Sequence, residues 1–539
     1  MTNAHDQLLP DILHQHAQTQ GGRYALRTLG GDLTYAELND RVSALANGLA
    51  SHGVRRGSKV GLMCTNRLEW VVASLAAIRL GATIFTFNTW ARKWDLKDML
   101  EQSECEILIA LSQLRDTDVA AMIGELVPEA WRSTSKTWAS TDFPHLKHIV
   151  LVNDGLVVPG GLRAMEDLEV VQPDDTRSDA FDEQAIFVMF TSGSTARPKA
   201  VPIHHAVAVQ HAREIAERMS VVAEDVIWVP VPLFWSYGGA NALLVGLVSG
   251  ATLVLQEVFS PDEALDLIQN RQCTVAYTLP NITAAILADP GFEPSRTSTL
   301  RKGMTIGSPA DVEQAALKLG VKNICNAYGS TELYGGCCVT PWDWPLERKM
   351  ACQGPPLPSN KVVIREAKTG APMAVGEVGE IAVRGQVTSR YVDQPDATMA
   401  AFSQDGEFLT SDLGYLDEEG CLHFVARASE MIRCGGINIA PAEVEEFLRQ
   451  HDKIAEVALV GIPDDAKGEV AVACVRRRSP DSALTQDDLH SFCRGEIASF
   501  KIPEYFVITD DPLPRTDTGK LSRALVRELA MKSIVRKVL

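Results

Sequence analysis

Residues 186–199 read Ile-Phe-Val-Met-Phe-Thr-Ser-Gly-Ser-Thr-Ala-Arg-Pro-Lys, and the two halves of this stretch ask different things of the backbone. Ile186–Phe190 is a short apolar run of the kind that forms a buried strand. Thr191-Ser192-Gly193-Ser194-Thr195-Ala196-Arg197-Pro198-Lys199 is small, rich in hydroxyls and closed by a cation. Small residues let backbone N–H groups approach an anion, hydroxyls add donors, and Lys199 supplies charge. That composition after a strand suits a polyphosphate. It is not a Walker loop, which closes on Gly-Lys-Ser/Thr where this chain has Pro198-Lys199-Ala200. The plain alternative is a polar loop with a stray lysine.

Outward from this stretch, the first half of the chain alternates two periods. Leu38, Val42, Leu45, Ala46 and Leu49 recur at helical spacing, which predicts a helix over 35–51. A strand over 59–64 and a helix over 68–80 ending at Gly81 follow, then a strand over 83–87. Strand, helix, strand at these lengths is a βαβ unit, hence a parallel sheet covered by helices. The pattern recurs at 186–190, 252–255 and 274–277. From about Lys361 the texture changes to short strands and tight turns, at 361–365, 379–384 and 421–425. After Arg427 a glycine pair precedes a helix marked by Pro441 and Glu443, and another helical stretch covers 485–500. The expected fold class is α/β: a large N-terminal domain (1–429) of parallel sheets covered by helices, with a β-rich subdomain over about 355–429. A small mobile α+β domain (430–539) follows, hinged near Glu430.

A chain of 539 residues with 46% apolar and 22% charged residues is globular and divides into several structural units. The net charge of −18 argues against a binder of nucleic-acid backbones. Eleven cysteines at irregular spacings, without a CxxC pair, suggest neither a zinc site nor a disulfide framework. Reduced thiols and a cytoplasmic location are expected, since residues 1–10 lack the order of a signal peptide. Residues 226–256 carry no charge and reach membrane-spanning length. Pro230, Pro232, Gly238, Gly239, Gly246 and Gly250 cut the run into a strand, a turn, a short helix and a strand, so a buried core is predicted and no membrane span.

Further stretches join the phosphate-like loop: Asn326-Ala327-Tyr328-Gly329-Ser330-Thr331-Glu332, Thr410-Ser411-Asp412-Leu413-Gly414-Tyr415, Arg427 followed by Gly435-Gly436-Ile437-Asn438, and Pro514-Arg515-Thr516-Asp517-Thr518-Gly519-Lys520. With Leu33-Thr34-Tyr35-Ala36-Glu37-Leu38 and Gly461-Ile462-Pro463-Asp464 they occur in an order that resembles the acyl- and aryl-CoA synthetase branch of the adenylate-forming superfamily, from about residue 30 to 525.

The resemblance implies an ATP-dependent carboxylate–CoA ligase. Acid and Mg·ATP give acyl-AMP and pyrophosphate, and coenzyme A then displaces AMP. Thr191, Ser192, Gly193, Ser194, Thr195 and Lys199 would grip phosphates, and Thr331 would contact the α-phosphate. Glu332 would hold Mg²⁺; a hard cation takes one or two carboxylates from a protein and the rest of its shell from phosphates and water. Read alone, a Glu after Ser-Thr is a helix-capping residue. Tyr328 would pack on adenine beside Asn326, Ala327 and Ser308, while Asp412 and Arg427 would bind the ribose hydroxyls. Lys520 would reach the carboxylate and the α-phosphate during adenylation. Glu430, Arg433, Gly435 and Gly436 belong by resemblance to the hinge and the coenzyme A passage, and Trp235, Tyr237, Gly238, Asn281, Gly307 and Gly329 to the acyl pocket.

Departures from the family pattern are Ala196 and Ala200 near the phosphate loop, Ala426 before Arg427, and Trp235 where histidine is frequent. An indole at 235 would shorten or gate the acyl pocket, or else serve as a core residue. The pocket residues favour an aromatic or short-to-medium acid. Two other readings stand beside the ligase: a stand-alone adenylating enzyme that loads a separate carrier protein, and a non-catalytic nucleotide-binding regulator. The intact Glu332, Asp412 and Lys520 set opposes the second.

Overall fold

Thr34 starts the first long helix. Its hydroxyl accepts from Glu37 N at 3.3 Å, and Glu37 Oε2 accepts from Thr34 N at 2.8 Å. The Thr-Tyr-Ala-Glu signature is thus a capping box, satisfying two orphan backbone donors reciprocally. The helix runs Tyr35–Ser51 and buries Leu38, Val42, Leu45, Ala46 and Leu49. The computed structural model describes residues 8–538 apart from 115–116, 153–157, 171–177, 192–197, 368, 428–429, 435–436, 440, 465–467, 482, 495, 498–500 and 517–518.

The chain divides into two compact units, residues 1–361 with 384–406, and residues 362–383 with 407–539. Among the described residues the first unit holds two large sheets. One has eight strands in the order Cys338–Val339, Asn323–Tyr328, Lys302–Thr305, Val275–Tyr277, Val226–Val229, Thr252–Leu255, Tyr24–Arg27 and Asp32–Thr34. All its neighbours run parallel except at the two edges. The other has seven strands in the order Lys199–His204, Ala185–Thr191, Thr83–Thr86, Lys59–Met63, Ile107–Leu111, His148–Val152 and Arg163–Ala164. There only the first pair is antiparallel. The inner strands are buried on both faces, which explains their continuous Val, Ile and Leu runs. The helix Leu68–Arg79 stops at Leu80, where Gly81 turns the chain at φ +70°.

The uncharged segment 226–256 forms a core, as its prolines and glycines predict. Its short helix departs from ordinary winding: Ser236–Leu243 is a π-helix and becomes α-helical only over Leu244–Ser249. A β-carbon on Gly238 would lie 2.2 Å from Pro232 O, and one on Gly239 2.2 Å from Leu233 O. Only glycine lets the chain fold back this tightly, and wide turns of this kind cluster at functional sites.

The second unit holds a four-stranded sheet, in the order Lys361–Arg365, Gly379–Arg384, Phe408–Leu416, Leu422–Arg427, and a mixed sheet centred on Gly468–Arg477. The mixed sheet follows a period of two. Val457, Leu459, Ala471, Ala473 and Val475 pack with Val444, Leu448 and Leu489 on one face, and Ala458, Val460, Val470, Val472 and Cys474 with Val526 and Ala530 on the other. The predicted helix over 485–500 is shorter than its pattern. It is capped by Thr485, runs Gln486–Cys493 and ends at Arg494, whose backbone has turned to the extended region. All eleven cysteines are free, and all but Cys434 are buried.

Candidate active site

In open parallel sheets the carboxyl ends of the strands leave crevices where ligands bind, and the sequence-selected residues of the first unit gather at such ends. Thr191 closes its strand and pairs directly with Lys199 in the next, so the hydroxyl-rich run joins two antiparallel strands. Ser192, Gly193, Ser194 and Thr195 lie outside the described residues. Lys199 holds its ammonium 4.5 Å from the centre of the Tyr391 ring, a cation–π contact. The Tyr391 hydroxyl donates to Glu332 Oε1 at 2.9 Å. Burial first, and then the Glu332 carboxylate, hold the Tyr391 phenol protonated well above its usual range.

Glu332 does not cap a helix. Thr331–Leu333 is one 3₁₀ turn begun by Ser330, with no side-chain cap. Thr388 N donates to Glu332 O at 2.7 Å and fixes the backbone beneath the carboxylate. Thr331 Oγ1 lies 3.1 Å from Ser236 Oγ, which ties this turn to the start of the π-helix. Ser330 Oγ is buried and makes no hydrogen bond among the described residues. Glu332 therefore presents a single carboxylate, its Oε1 held from one side. Among the described residues no three His, Cys, Asp or Glu side chains are grouped to hold a metal, so this donor set fits an ion that brings most of its ligands with it.

The adenine candidates are placed unequally. Ala327 and Tyr328 end their strand opposite Val339 and Cys338. Asn326 is fully buried, and its Nδ2 donates to Lys349 O at 3.3 Å and Cys352 O at 3.2 Å. Its Oδ1 has no partner among the described residues. Ser308 caps a short helix, with its hydroxyl 2.7 Å from Asp311 Oδ2. A β-carbon on Gly307 would lie 2.6 Å from that of Asp311, and one on Gly329 2.4 Å from Gly336 Cα. Asn281 is exposed near the start of the helix Pro280–Ala288.

Trp235 sits at the N-terminal end of the π-helix, half-buried. Its ring meets Trp90 edge-on with centroids 5.0 Å apart, and Phe234 lies 5.3 Å from Trp90 and 5.8 Å from Trp235. Tyr237 packs its ring 5.4 Å from Tyr277 and gives its hydroxyl to the strand ends, 3.2 Å from Thr278 O and 2.9 Å from Met304 O. Two further side chains meet these residues without a motif to mark them, Trp90 and Tyr391. Trp90 follows the strand Thr83–Thr86 at its carboxyl end, where parallel sheets place site residues. Tyr391 stands in a loop, with no periodic signal.

In the second unit Asp412 lies directly across from Arg427 on adjacent antiparallel strands, with Oδ1 3.5 Å from Arg427 Nε. The Thr-Ser-Asp spelling has a local cause. Thr410 Oγ1 donates to Ile381 O at 2.8 Å and accepts from Asp412 N at 3.1 Å. Ser411 takes a left-handed φ of +59° where the pairing with Gly379–Arg384 shifts register. Such strained positions concentrate at functional sites. The Asp412 side chain is 13% exposed and that of Arg427 66%, so the carboxylate is sheltered and the guanidinium open.

Lys520 is open to solvent at its surface, yet the surrounding protein, and then the Arg427 guanidinium, lower its pKa from the usual lysine value. Glu430 N donates to Arg427 O at 2.9 Å, and the Glu430 carboxylate accepts from Arg523 Nε at 3.2 Å. Arg523 also donates to Glu445 Oε1 at 2.7 Å. Arg433 lies on the strand Ile432–Cys434, which pairs with Ile437–Ile439 so that Cys434 faces Ile437. Gly435 and Gly436 lie outside the described residues.

Residues 13–392 match the family described as AMP-binding enzyme, and residues 443–520 match the AMP-binding enzyme C-terminal domain. The chain is 31% identical to the 3-[(3aS,4S,7aS)-7a-methyl-1,5-dioxo-octahydro-1H-inden-4-yl]propanoyl:CoA ligase of Rhodococcus jostii (strain RHA1), over 96% of this chain and 98% of that one. It is 30% identical to the medium-chain acyl-CoA ligase ACSF2, mitochondrial, of Homo sapiens, over 96% of this chain and 86% of that one. The fold matches that of o-succinylbenzoate coenzyme A synthetase (MenE) of Bacillus subtilis in complex with ATP and magnesium ion, with a TM-score of 0.77 and 27% identity over 96% and 99% of the two chains. The chain belongs to the AMP-binding enzyme family and is an AMP-forming acyl-CoA ligase. No helix among the described residues is long and apolar enough to cross a membrane.

Proposed function

We propose that this ligase activates a compact carboxylic acid, medium-length or ring-bearing, and passes it to coenzyme A. The wall made by Trp235 against Trp90 and Phe234 carries this reading, because three large rings in mutual contact leave little length for a long chain. The relatives named for a medium-chain acid and for a bicyclic propanoate support it.

In the first half-reaction a carboxylate oxygen of the acid attacks the α-phosphorus of ATP, and the bond to pyrophosphate breaks. Charge grows on the nonbridging oxygens, and a positioned ammonium stabilises it. We assign that ammonium to Lys520. Lys199 and Thr331 neutralise and orient phosphates. Asp412 accepts from the two ribose hydroxyls and Arg427 donates to the same sugar, while Tyr328 packs on the base. A Mg²⁺ ion supplies Lewis acidity to the phosphates and would be held through Glu332. In the second half-reaction the thiol sulfur attacks the acyl carbon and AMP leaves with the carboxylate-derived oxygen. The lysine and the glycine pair serve different steps from one small domain, so residues 430–539 turn about Glu430 between them.

A panel of carboxylic acids tests the substrate class, with pyrophosphate release followed under single additions of acid. Selective turnover of acids of about six to twelve carbons or single- and fused-ring acids is expected. Preferred turnover of long-chain acids would overturn it.

A further inference from the structure

Among the described residues, one buried donor in the first unit takes part in no hydrogen bond of the fold and has no role in the chemistry above. Asn241 lies one turn after Tyr237 on the π-helix and is fully buried. Its Oδ1 accepts from the Tyr277 hydroxyl at 2.9 Å. That hydroxyl has one proton, and a carboxamide oxygen is a far better acceptor than the Met219 thioether 3.5 Å away. The hydrogen bond therefore fixes which end of the amide faces Tyr277. The other end, Nδ2, makes no hydrogen bond among the described residues. Buried polar groups seldom remain so unless water or a ligand completes them.

The surroundings of Nδ2 are built from glycine. A β-carbon on Gly335 would lie 3.3 Å from Asn241 Cβ and 3.1 Å from Ser236 O, so the turn after Glu332 presses its bare backbone on the π-helix. On Gly336 the nearest neighbours of a β-carbon would be Asn241 Nδ2 at 3.7 Å and Ile215 Cδ1 at 3.8 Å. Space for a further atom thus exists beside the donor. The Gly336 carbonyl is not a partner of Nδ2 among the described residues; its oxygen lies 2.6 Å from His211 Nε2. Burial lowers the pKa of His211, so the neutral ring gives its single N–H to this carbonyl. The Tyr237 hydroxyl is likewise committed, to Thr278 O and Met304 O.

We infer that Asn241 Nδ2 selects the substrate: the acid carries a hydrogen-bond acceptor, a keto or ring carbonyl oxygen, on its distal part, and Nδ2 donates to it. This rests on reading the π-helix and the Gly329–Gly336 turn as the acyl pocket. A site built to hydrogen-bond a substrate group discriminates strongly against analogues that lack it, because its own polar group is then left unpaired. The Rhodococcus relative is named for an acid with two ring ketones.

The test compares straight-chain acids with keto acids of equal length, of about six to ten carbons, by pyrophosphate release from the full chain. At the best length the keto acid should exceed its alkyl counterpart by ~10-fold or more in kcat/KM, and Asn241→Leu should bring the ratio to about one. Asn241→Asp keeps the acceptor for Tyr277 but replaces the donor with an acceptor, so preference should move to the matching hydroxy acid. It also carries the test should the leucine variant not fold. Equal use of keto and alkyl acids at every length by the unmodified chain would overturn the inference and leave Nδ2 to a water, as would a ratio unchanged in the variants. Gly336→Val separates the pocket from its donor. Loss of the longer acids places the pocket there, whereas an unchanged acid profile with active pyrophosphate release removes the pocket reading and the inference with it.

Discussion

The Tyr391 hydroxyl donates to Glu332 Oε1 at 2.9 Å while Lys199 rests its ammonium 4.5 Å above the same ring. One phenol thereby orders the proposed metal carboxylate and the proposed phosphate cation together. A hydrogen bond to an ionised acceptor contributes about 1.5–3 kcal/mol, enough to choose one carboxylate rotamer. Tyr391→Phe keeps the ring for Lys199 and removes only the donor. Pyrophosphate release should fall about 10-fold at limiting Mg²⁺ and recover in part as Mg²⁺ rises. An Mg²⁺ dependence identical to that of the unmodified enzyme would show that Tyr391 merely packs.

Lys520 is assigned to one half-reaction. Lys520→Ala should lower acyl-adenylate formation by ~10²-fold or more, as loss of an electrostatic stabiliser does. Thioester formation from supplied acyl-AMP should fall much less. Equal losses in the two single-turnover assays would refute the division of labour.

Burial and Arg427 both lower the Lys520 pKa. The protonated amine is the working form, so adenylation should decline on the alkaline side at a pH below that of an ordinary lysine. Arg427→Gln removes a neighbouring positive charge, which raises the Lys520 pKa and moves the alkaline limb upward, only in part because burial remains. The pH profile of kcat for pyrophosphate release measures this, apart from any loss in ATP affinity. A limb that stays in place or moves down contradicts it.

Trp235→Gly opens the three-ring wall. Longer or bulkier acids should gain in relative kcat/KM by about 10-fold. A lower Tm by itself, with the acid profile intact, would identify Trp235 as a packing residue.

Glu430 joins Arg427 through its N–H and Arg523 through its carboxylate. Glu430→Pro fixes φ near about −65° and removes the N–H. Acyl-AMP should still form in single turnover, while thioester synthesis drops on the order of 10²-fold, as for a gated step. Wild-type thioester synthesis by the folded variant would place the axis elsewhere.

Much of this protein was legible in the order of its residues, because local rules act over a few positions. Thr34 and Glu37 cap a helix three residues apart. Gly81 and Gly250 end helices with positive φ. Pro and Gly divided 226–256 whatever its lack of charge. Asp412 and Arg427 could be singled out, fifteen residues apart, since one hairpin brings them face to face. Other relationships depend on contacts the chain closes only when folded. Tyr391 meets Glu332 from 59 residues away, and Tyr277 meets Asn241 from 36. Trp90 meets Trp235 across separate strand ends. None of these has a period or a spacing to read. The same tertiary packing decided that Ser308 caps a helix, that the Tyr237 hydroxyl serves two backbone carbonyls, and that one amide end of Asn241 has no hydrogen-bond partner among the described residues. A side chain's hydrogen-bonding capacity is a property of its type, but how much of that capacity remains for a ligand is settled only when every neighbour has taken its share.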